Sequence, residues 1–499
     1  MPIPKEILEV KRPRNTIVIA YGKNKDRYAV RERIGCKYKH GRRIPVNGPT
    51  IGHIVGGKYV PRLSGTDPLT LTVSMAPVDI KDWGAVVLCD NVAHALLDEL
   101  CTVYNRKDAQ KLYCACILRV CNPGIKDYEL KEAYDNSFLS ELFPDVAMSK
   151  NTVSKFWNDL GKAYSRICKY MQIRVAALET GHHVIIDGTL KSNDSKVNSL
   201  SDFSRKAKAK ETRDISILYA YDLEVGEPIC SKCFPGNMLD ATAYEAFIAD
   251  NRINRGIIVG DKGFPSSSAK SHFLQNQDLH YLNPLERDSK YIVSHDLLNY
   301  EGQLPENETI LYKKACVAKE AKWLYSFRDT SKAHKEEYGW LQRSRKNNNF
   351  SIEQFDEDWL LFGTIVLESD LDMEPQTAYK AYACRWEIEL VMRYYKQACE
   401  FDETRVHDDY SVIGSEFCSF LSTIVTYRLL REYERNGLLR KMTYKKILRI
   451  LTRAKKVCTD GNTWQLIKMN PSQIEVLQSL SLLPKPASKK RGRPRKTGV

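Results

Sequence analysis

The sequence predicts an α/β protein built in several parts, and three observations carry that reading. Residues 12–61 alternate apolar and polar positions around frequent turns, residues from about 80 to 180 repeat at helical spacing, and from 182 onward short buried apolar runs are separated by a helix. The chain of 499 residues is about three times a domain of roughly 150, so several cores are expected. Apolar residues at 43% and charged residues at 28% exclude wholesale disorder, a collagen-like fibre and a coiled-coil rod.

Each part follows from local chemistry. NTIVIAYGKNKDRYAV alternates around the turn-rich Gly22-Lys23-Asn24-Lys25, and further turns fall at Asn47-Gly48-Pro49 and Gly56-Gly57, which predicts an N-terminal β-rich module over 1–65. The stretch 66–180 reads as a helical domain, expected to bind DNA. Its segment MSKNTVSKFWNDLG fits either a helix-turn-helix or an ordinary capped core helix. HHVIIDGT (182–189), ISILYAYDLE (215–224) and EPICSKCF (227–234) then read as three strands in meander, followed by a helix over 239–252 and the buried strand GIIVGD (256–261). That order begins a ribonuclease-H-like sheet, although other mixed α/β folds begin similarly. The catalytic domain is expected over 181–410, with a β-rich insertion at about 287–360 before FGTIVLESD resumes a buried strand. C-terminal helices are expected over 411–480, and a basic, low-complexity tail over 481–499.

The longest apolar stretches, such as AVVLC (85–89) and LLFGTIVL (360–367), fall short of the roughly 18 residues of a membrane span, and the charged start MPIPKEILEVKRPR lacks an apolar signal core. A soluble, cytoplasmic protein with no membrane partner is expected. Fourteen scattered cysteines, many in apolar stretches, suit small buried hydrophobes in a reducing compartment rather than a disulfide framework. With 76 Lys and Arg against 62 Asp and Glu, the formal charge of +14 favours a polyanionic partner.

Two aspartates stand beyond apolar runs, Asp187 after VII and Asp261 after IIVG. Carboxylates at the carboxyl edge of an open α/β sheet lie where such folds place ligands, and two on neighbouring strands suit a shared divalent cation. A third carboxylate lies in AYACRWEIELVMRYYKQACE (381–400). At about 100° per residue, Tyr382, Arg385, Glu389, Arg393 and Lys396 fall within an arc of roughly 80° on one helix face, with Cys384, Ile388, Val391 and Tyr395 opposite.

The spacing Tyr382-x2-Arg385-x3-Glu389-x6-Lys396, with Asp187-Gly-Thr and Asp261-Lys-Gly-Phe upstream, resembles the Y-R-E-K signature of DDE transposases encoded by bacterial insertion sequences. The resemblance covers about residues 183–400, and the spacing of the three acids fits the branch with a β-rich insertion ahead of the last helix. It implies that Asp187, Asp261 and Glu389 are catalytic and hold two ions, Mg²⁺ or Mn²⁺, and that Tyr382, Arg385 and Lys396 contact phosphates beside the scissile bond. Arg393 joins the DNA contacts by its place on the helix face. Double-stranded DNA as partner, a homodimer in the synaptic complex and a nucleoid-associated bacterial location are implied as well.

The tail KKRGRPRKTGV contains Arg491-Gly492-Arg493-Pro494, a core that resembles the AT-hook, whose arginines enter the narrow A·T minor groove. SRKAKAKETR (204–213) follows the first strand and suits DNA backbone contacts or plain solvation. Cys230-Ser-Lys-Cys233 has no second pair at zinc spacing, His182 and His183 suit core or surface positions better than ligation, and Trp386 suits the core. The reading is a DDE transposase that cuts element ends and joins them to target DNA. Its rivals are a ribonuclease-H-like nuclease without strand transfer and a non-catalytic DNA-binding repressor.

Overall fold

The computed structural model describes residues 3–22, 27–39, 42–61, 78–193, 195–203, 213–238, 240–260, 270–347, 350–385, 406–459 and 462–485. The chain divides into two units, Met1–Asp79 with Thr459–Thr463, and Ile80–Cys458 with Trp464–Val499. In the first, helix α1 (Lys5–Glu9) precedes an antiparallel meander of β1 (Thr16–Tyr21), β2 (Arg27–Lys39), β3 (Arg42–Val55) and β4 (Lys58–Pro61), in the order 1-2-3-4. Val18, Val30 and Ile54 form its small core. The β3–β4 turn is Gly56-Gly57, at φ 56° and 73°, because a two-residue hairpin turn of this kind needs positive φ at both positions.

The second unit begins with a strand, β5 (Asp79–Asp82), and a helical layer: α2 (Gly84–Cys101), α3 (Arg106–Cys121), α4 (Leu130–Asp135), α5 (Leu139–Leu142), α6 (Lys150–Lys162) and α7 (Tyr164–Ala176). Side-chain caps fix where these helices start. Asn105 accepts the Asp108 N–H at 3.0 Å and Ser149 accepts the Thr152 N–H at 3.4 Å. The segment around Ser149 is therefore a capped helix, and its Val153, Phe156, Trp157 and Leu160 are buried.

The large sheet follows. Strand β6 (His183–Ser192), the short β7 (Asp202–Phe203), β8 (Arg213–Asp222) and β9 (Glu227–Pro235) lead through α8 (Asp240–Asn251) to β10 (Gly256–Val259), α9 (Lys270–Gln275) and β11 (Leu279–Pro284). β8 runs antiparallel to β6 and β9, while β10 runs parallel to β6 and β11 parallel to β10. The lateral order is β9-β8-β6-β10-β11, third, second, first, fourth and fifth in the chain.

Beyond β11 come α10 (Lys290–Ser294), β12 (Gly302–Leu304), β13 (Asn307–Val317), β14 (Lys322–Asp329), α11 (Thr330–Asn347), α12 (Ile352–Trp359) and β15 (Thr364–Ser369). The interval 287–360 thus carries helices as well as strands. Its strands extend the same sheet, because β15 pairs antiparallel with both β11 and β14. The polar run RSRKNNNF (343–350) begins within the last turns of α11, whose mostly exposed face accounts for its polarity.

Helix α13 (Pro375–Ala383) packs Tyr379 edge-on to Phe327 of β14 at 5.2 Å. The central element is α14 (Asp409–Arg435), buried over most of its length; it packs on β9, α2, α3 and α6. Its interior Ser and Thr hydroxyls are satisfied within the helix, as where Thr423 donates to Ser419 O at 2.9 Å and Thr426 to Ser422 O at 2.8 Å. Helix α15 (Tyr444–Thr452), strands β16 (Lys455–Cys458) and β17 (Trp464–Leu466), and α16 (Pro471–Ser479) complete the chain, with β5, β16 and β17 in a small sheet. Among the described residues no helix is long and apolar enough to cross a membrane, and no cysteine forms a disulfide.

Two glycines set the approach of α6 and α14. A Cβ on Gly414 would lie 2.1 Å from Trp157 O, and one on Gly161 1.9 Å from Tyr410 O. Gly414→Ala should push the two helices apart and cost about 1–3 kcal/mol of stability, measured by urea unfolding. A clamp ties the other half of α14 to the sheet: Arg428 donates to both oxygens of Glu227 at 2.9 and 3.0 Å, and Arg174 of α7 adds a third bond at 3.2 Å. Burial raises the Glu227 pKa, but the two guanidiniums outweigh it and hold this carboxyl below its ordinary value. A carboxylate depressed by folding stabilises the native state above its unfolded pKa and loses that contribution as pH falls through the folded value. Glu227→Gln should therefore cost about 3 kcal/mol at pH 7 and flatten the acid side of the stability profile, read by denaturation between pH 3 and 7.

Candidate active site

Asp187 does not end its strand, as the apolar run alone predicts. β6 continues five residues further, to Ser192, because β8 pairs with it as far as Ser192↔Asp214, whereas its parallel neighbour β10 pairs only to Ile185↔Val259. Among the described residues, Asp187 therefore lies past the last pair on the parallel side of the ladder while the antiparallel side goes on, a notch in the carboxyl edge of the sheet. The carboxylate is half-buried, and the Gly188 N–H donates to its Oδ1 at 2.9 Å.

The side of the sheet that carries Asp187 is lined by aromatic rings. Tyr219 stands directly across from Asp187 on β8, stacked with Tyr221 at 6.1 Å and with Phe420 of α14 at 6.5 Å; Tyr427 of α14 lies 5.7 Å from Tyr221. Burial, and after it the negative charge of Asp187, pushes the Tyr427 phenol well above its ordinary pKa, so this hydroxyl stays protonated beside the carboxylate. Further along the same face of β6, Lys191 pairs with Glu416 of α14 at 2.6 Å, both almost fully buried. The pair forms part of the wall of a cavity of about 480 Å³ that also includes Arg119, Lys126, Lys150 and His407. Arg119 is bound there by Asp127, Ser415 and Ser419 and lies 5.1 Å from the Trp157 ring.

Tyr382 and Arg385 are brought together. Tyr382 sits in the last turn of α13, Cys384 at its end keeps right-handed helical angles (φ −60°, ψ −18°) and Arg385 is again helical, with the guanidinium 5.7 Å from the Tyr382 ring centre; the rest of the expected helix lies outside the described residues. Both line a recess of about 270 Å³ with Phe327, Asp329, Lys332, Glu336, Gly363, Thr364, Ile365, Tyr379 and Ala383. β10 and β11 stand between β6 and β15, so three inter-strand steps of about 4.8 Å put this recess roughly 14 Å or more from Asp187.

Asp261, Glu389, Arg393, Lys396, Arg491 and Arg493 lie outside the described residues, as do Trp386 and residues 204–212. Of the expected carboxylates Asp187 alone lies among the described residues, and carboxylate oxygens are hard donors of the kind that suits a divalent cation. A different cluster lies at the other end of β6: ligand atoms of His182, Asp222 and Glu224 fall within 4.8 Å of one another. These groups are already engaged. His182 Nδ1 bonds Asp222 Oδ2 at 2.7 Å, His183 Nδ1 bonds Glu224 Oε1 at 2.7 Å, and Asp222 Oδ1 accepts the N–H groups of Glu224 and Val225.

Residues 180–412 match the family model of the transposase DDE domain. That domain match, which spans β6 through the start of α14, supports a transposase. A solved cryo-EM structure of a piggyBac transposase synaptic complex with hairpin DNA is similar over 74% of this chain and 80% of that one, at 10% identity and a TM-score of 0.37, and no argument rests on it. No curated protein matches significantly.

Sequence reasoning missed Tyr427, the Lys191–Glu416 pair and Lys332, because each reaches its place through a contact distant in the chain. Only the even spacing of Asp187, Thr189 and Lys191 along one strand face offered a signal. The His182–Asp222 pair has a measurable signature. Burial lowers the His182 pKa, but the hydrogen bond to Asp222 and the surrounding carboxylates outweigh it and raise the pKa above the ordinary 6.5. Such a histidine stabilises the fold below its unfolded pKa and loses that contribution as pH rises through the folded value. In Asp222→Asn the His182 ring, followed by NMR, should titrate at lower pH than in the wild type.

Proposed function

We propose that this chain is a DDE transposase that cleaves the ends of an insertion sequence and transfers the strands into target DNA. The observation that carries the reading is Asp187 in its notch, on the first strand of a sheet ordered third, second, first, fourth, fifth, inside the segment matched by the transposase DDE domain. A three-strand meander followed by two parallel strands is the order of a ribonuclease-H-like core, which supports the same reading.

In this proposal Asp187, Asp261 and Glu389 hold two divalent ions, Mg²⁺ or Mn²⁺. When bound, the ions supply activation of water or a 3′-hydroxyl and stabilisation of the leaving oxygen. The protein's own part is positional. Gly188 N–H and the ring-lined wall fix the Asp187 carboxylate at the edge of the sheet, while Tyr382, Arg385, Arg393 and Lys396 orient the DNA backbone through its phosphates. Arg491 and Arg493 add contacts in the minor groove, and two copies act together on a pair of double-stranded ends.

Asp187→Ala, Asp261→Ala and Glu389→Ala should each reduce Mn²⁺-dependent nicking of a duplex from the DNA flanking the chain's own gene to background while retaining binding in gel shift. Retained cleavage in any of the three overturns the assignment. Joining of pre-cleaved ends to a plasmid then separates a transposase from a nuclease that only hydrolyses.

A further inference from the structure

We propose that Lys332, on the helix between β14 and β15, joins Tyr382 and Arg385 to form a recess that takes one backbone phosphate of the DNA. The inference rests on the transposase reading and adds a residue from the inserted interval to its DNA-contacting set.

Register places the recess on the correct side of the sheet. Asp187 shares a face with Ile185, which pairs with Val259; Val259 pairs with Leu282, and Leu282 with Ser369. Counting back by twos from Ser369 reaches Ile365, which pairs with Phe327. Both line the recess, so it opens on the face that carries Asp187. Because β15 runs antiparallel to β11, its start and the end of β14 lie at the same edge as the carboxyl ends of β6 and β10. A DNA strand laid along this edge with one phosphodiester at Asp187 meets the recess a few nucleotides away.

The recess lining carries two cations, Lys332 and Arg385, and two carboxylates, Asp329 and Glu336. Its two carboxylates are committed to the protein. Asp329 Oδ1 accepts the Ser331 and Lys332 N–H groups at 3.0 and 3.1 Å, and Glu336 Oε2 accepts the Gly363 N–H at 3.1 Å and the Arg287 guanidinium at 2.7 Å. The Lys332 ammonium lies at a long 3.5 Å from Asp329 Oδ2, with its side chain 58% exposed. An exposed pair of this kind is worth little, so the ammonium can turn to a phosphate at small cost. Arg385, with its planar fork, and Tyr382, with its hydroxyl, line the same recess. At about 270 Å³ the recess is smaller than the roughly 300–1,000 Å³ of small-molecule sites, which favours a backbone phosphate over a whole nucleotide.

The test uses the full chain and a labelled 40-base-pair duplex from the DNA flanking its gene. Lys332→Ala should weaken binding at 100 mM salt by about tenfold and lower the slope of log K against log salt by about one, with the slope restored in Lys332→Arg. A methylphosphonate scan of the cleaved strand should find one position where removing the charge weakens the wild type but leaves Lys332→Ala unaffected. An unchanged salt slope, or identical scans in the two proteins, overturns the recess while leaving the transposase reading in place. Failure of the wild type to nick the same duplex with Mn²⁺ overturns that reading, and the recess with it.

Discussion

The close crossing of α6 and α14 is the constraint on which the second unit depends. Gly161 and Gly414 let two backbones meet where any side chain would collide with a carbonyl, and α14 is thereby drawn into the centre of its unit. So deep a helix has few charged options. It fills its interior positions with Ser and Thr that bond their own preceding turn, and it spends Glu416 and Arg428 on cross-element pairs with Lys191 and Glu227. Those pairs lie at opposite ends of the sheet face, so the helix is held in register over the strand that carries Asp187.

This arrangement matters for chemistry because a lone carboxylate is useful only if its position is fixed. The rings of Tyr219, Tyr221, Phe420 and Tyr427 pack the space between helix and sheet and leave Asp187 half-buried at the notch. In the proposed function, low polarity behind the carboxylate strengthens its attraction for a charged partner. The interval between β11 and β15 extends the same sheet, so the recess at its far end is rigidly connected to Asp187 through paired strands rather than through loops.

Much of the fold was legible in the sequence for local reasons. The apolar run before Asp187, the meander around Gly226, the helix and the next buried strand all announce themselves through periodicity and turn residues, which depend on neighbours in the chain. Where the structure differs, a distant partner is the cause. β6 outlasts its apolar run because β8 continues to pair with it.

The sequence by itself determined much of the element types, the basic charge, and the candidacy of Asp187, Tyr382 and Arg385, since helix spacing, strand alternation and residue type are properties of the chain. Tertiary structure alone decided which groups share a face. It set Tyr427 beside Asp187 and put Lys332 and Arg385 in the lining of one recess. The physical reason is that such proximity is produced by strand register and helix crossing between segments tens to hundreds of residues apart, and no local pattern encodes it.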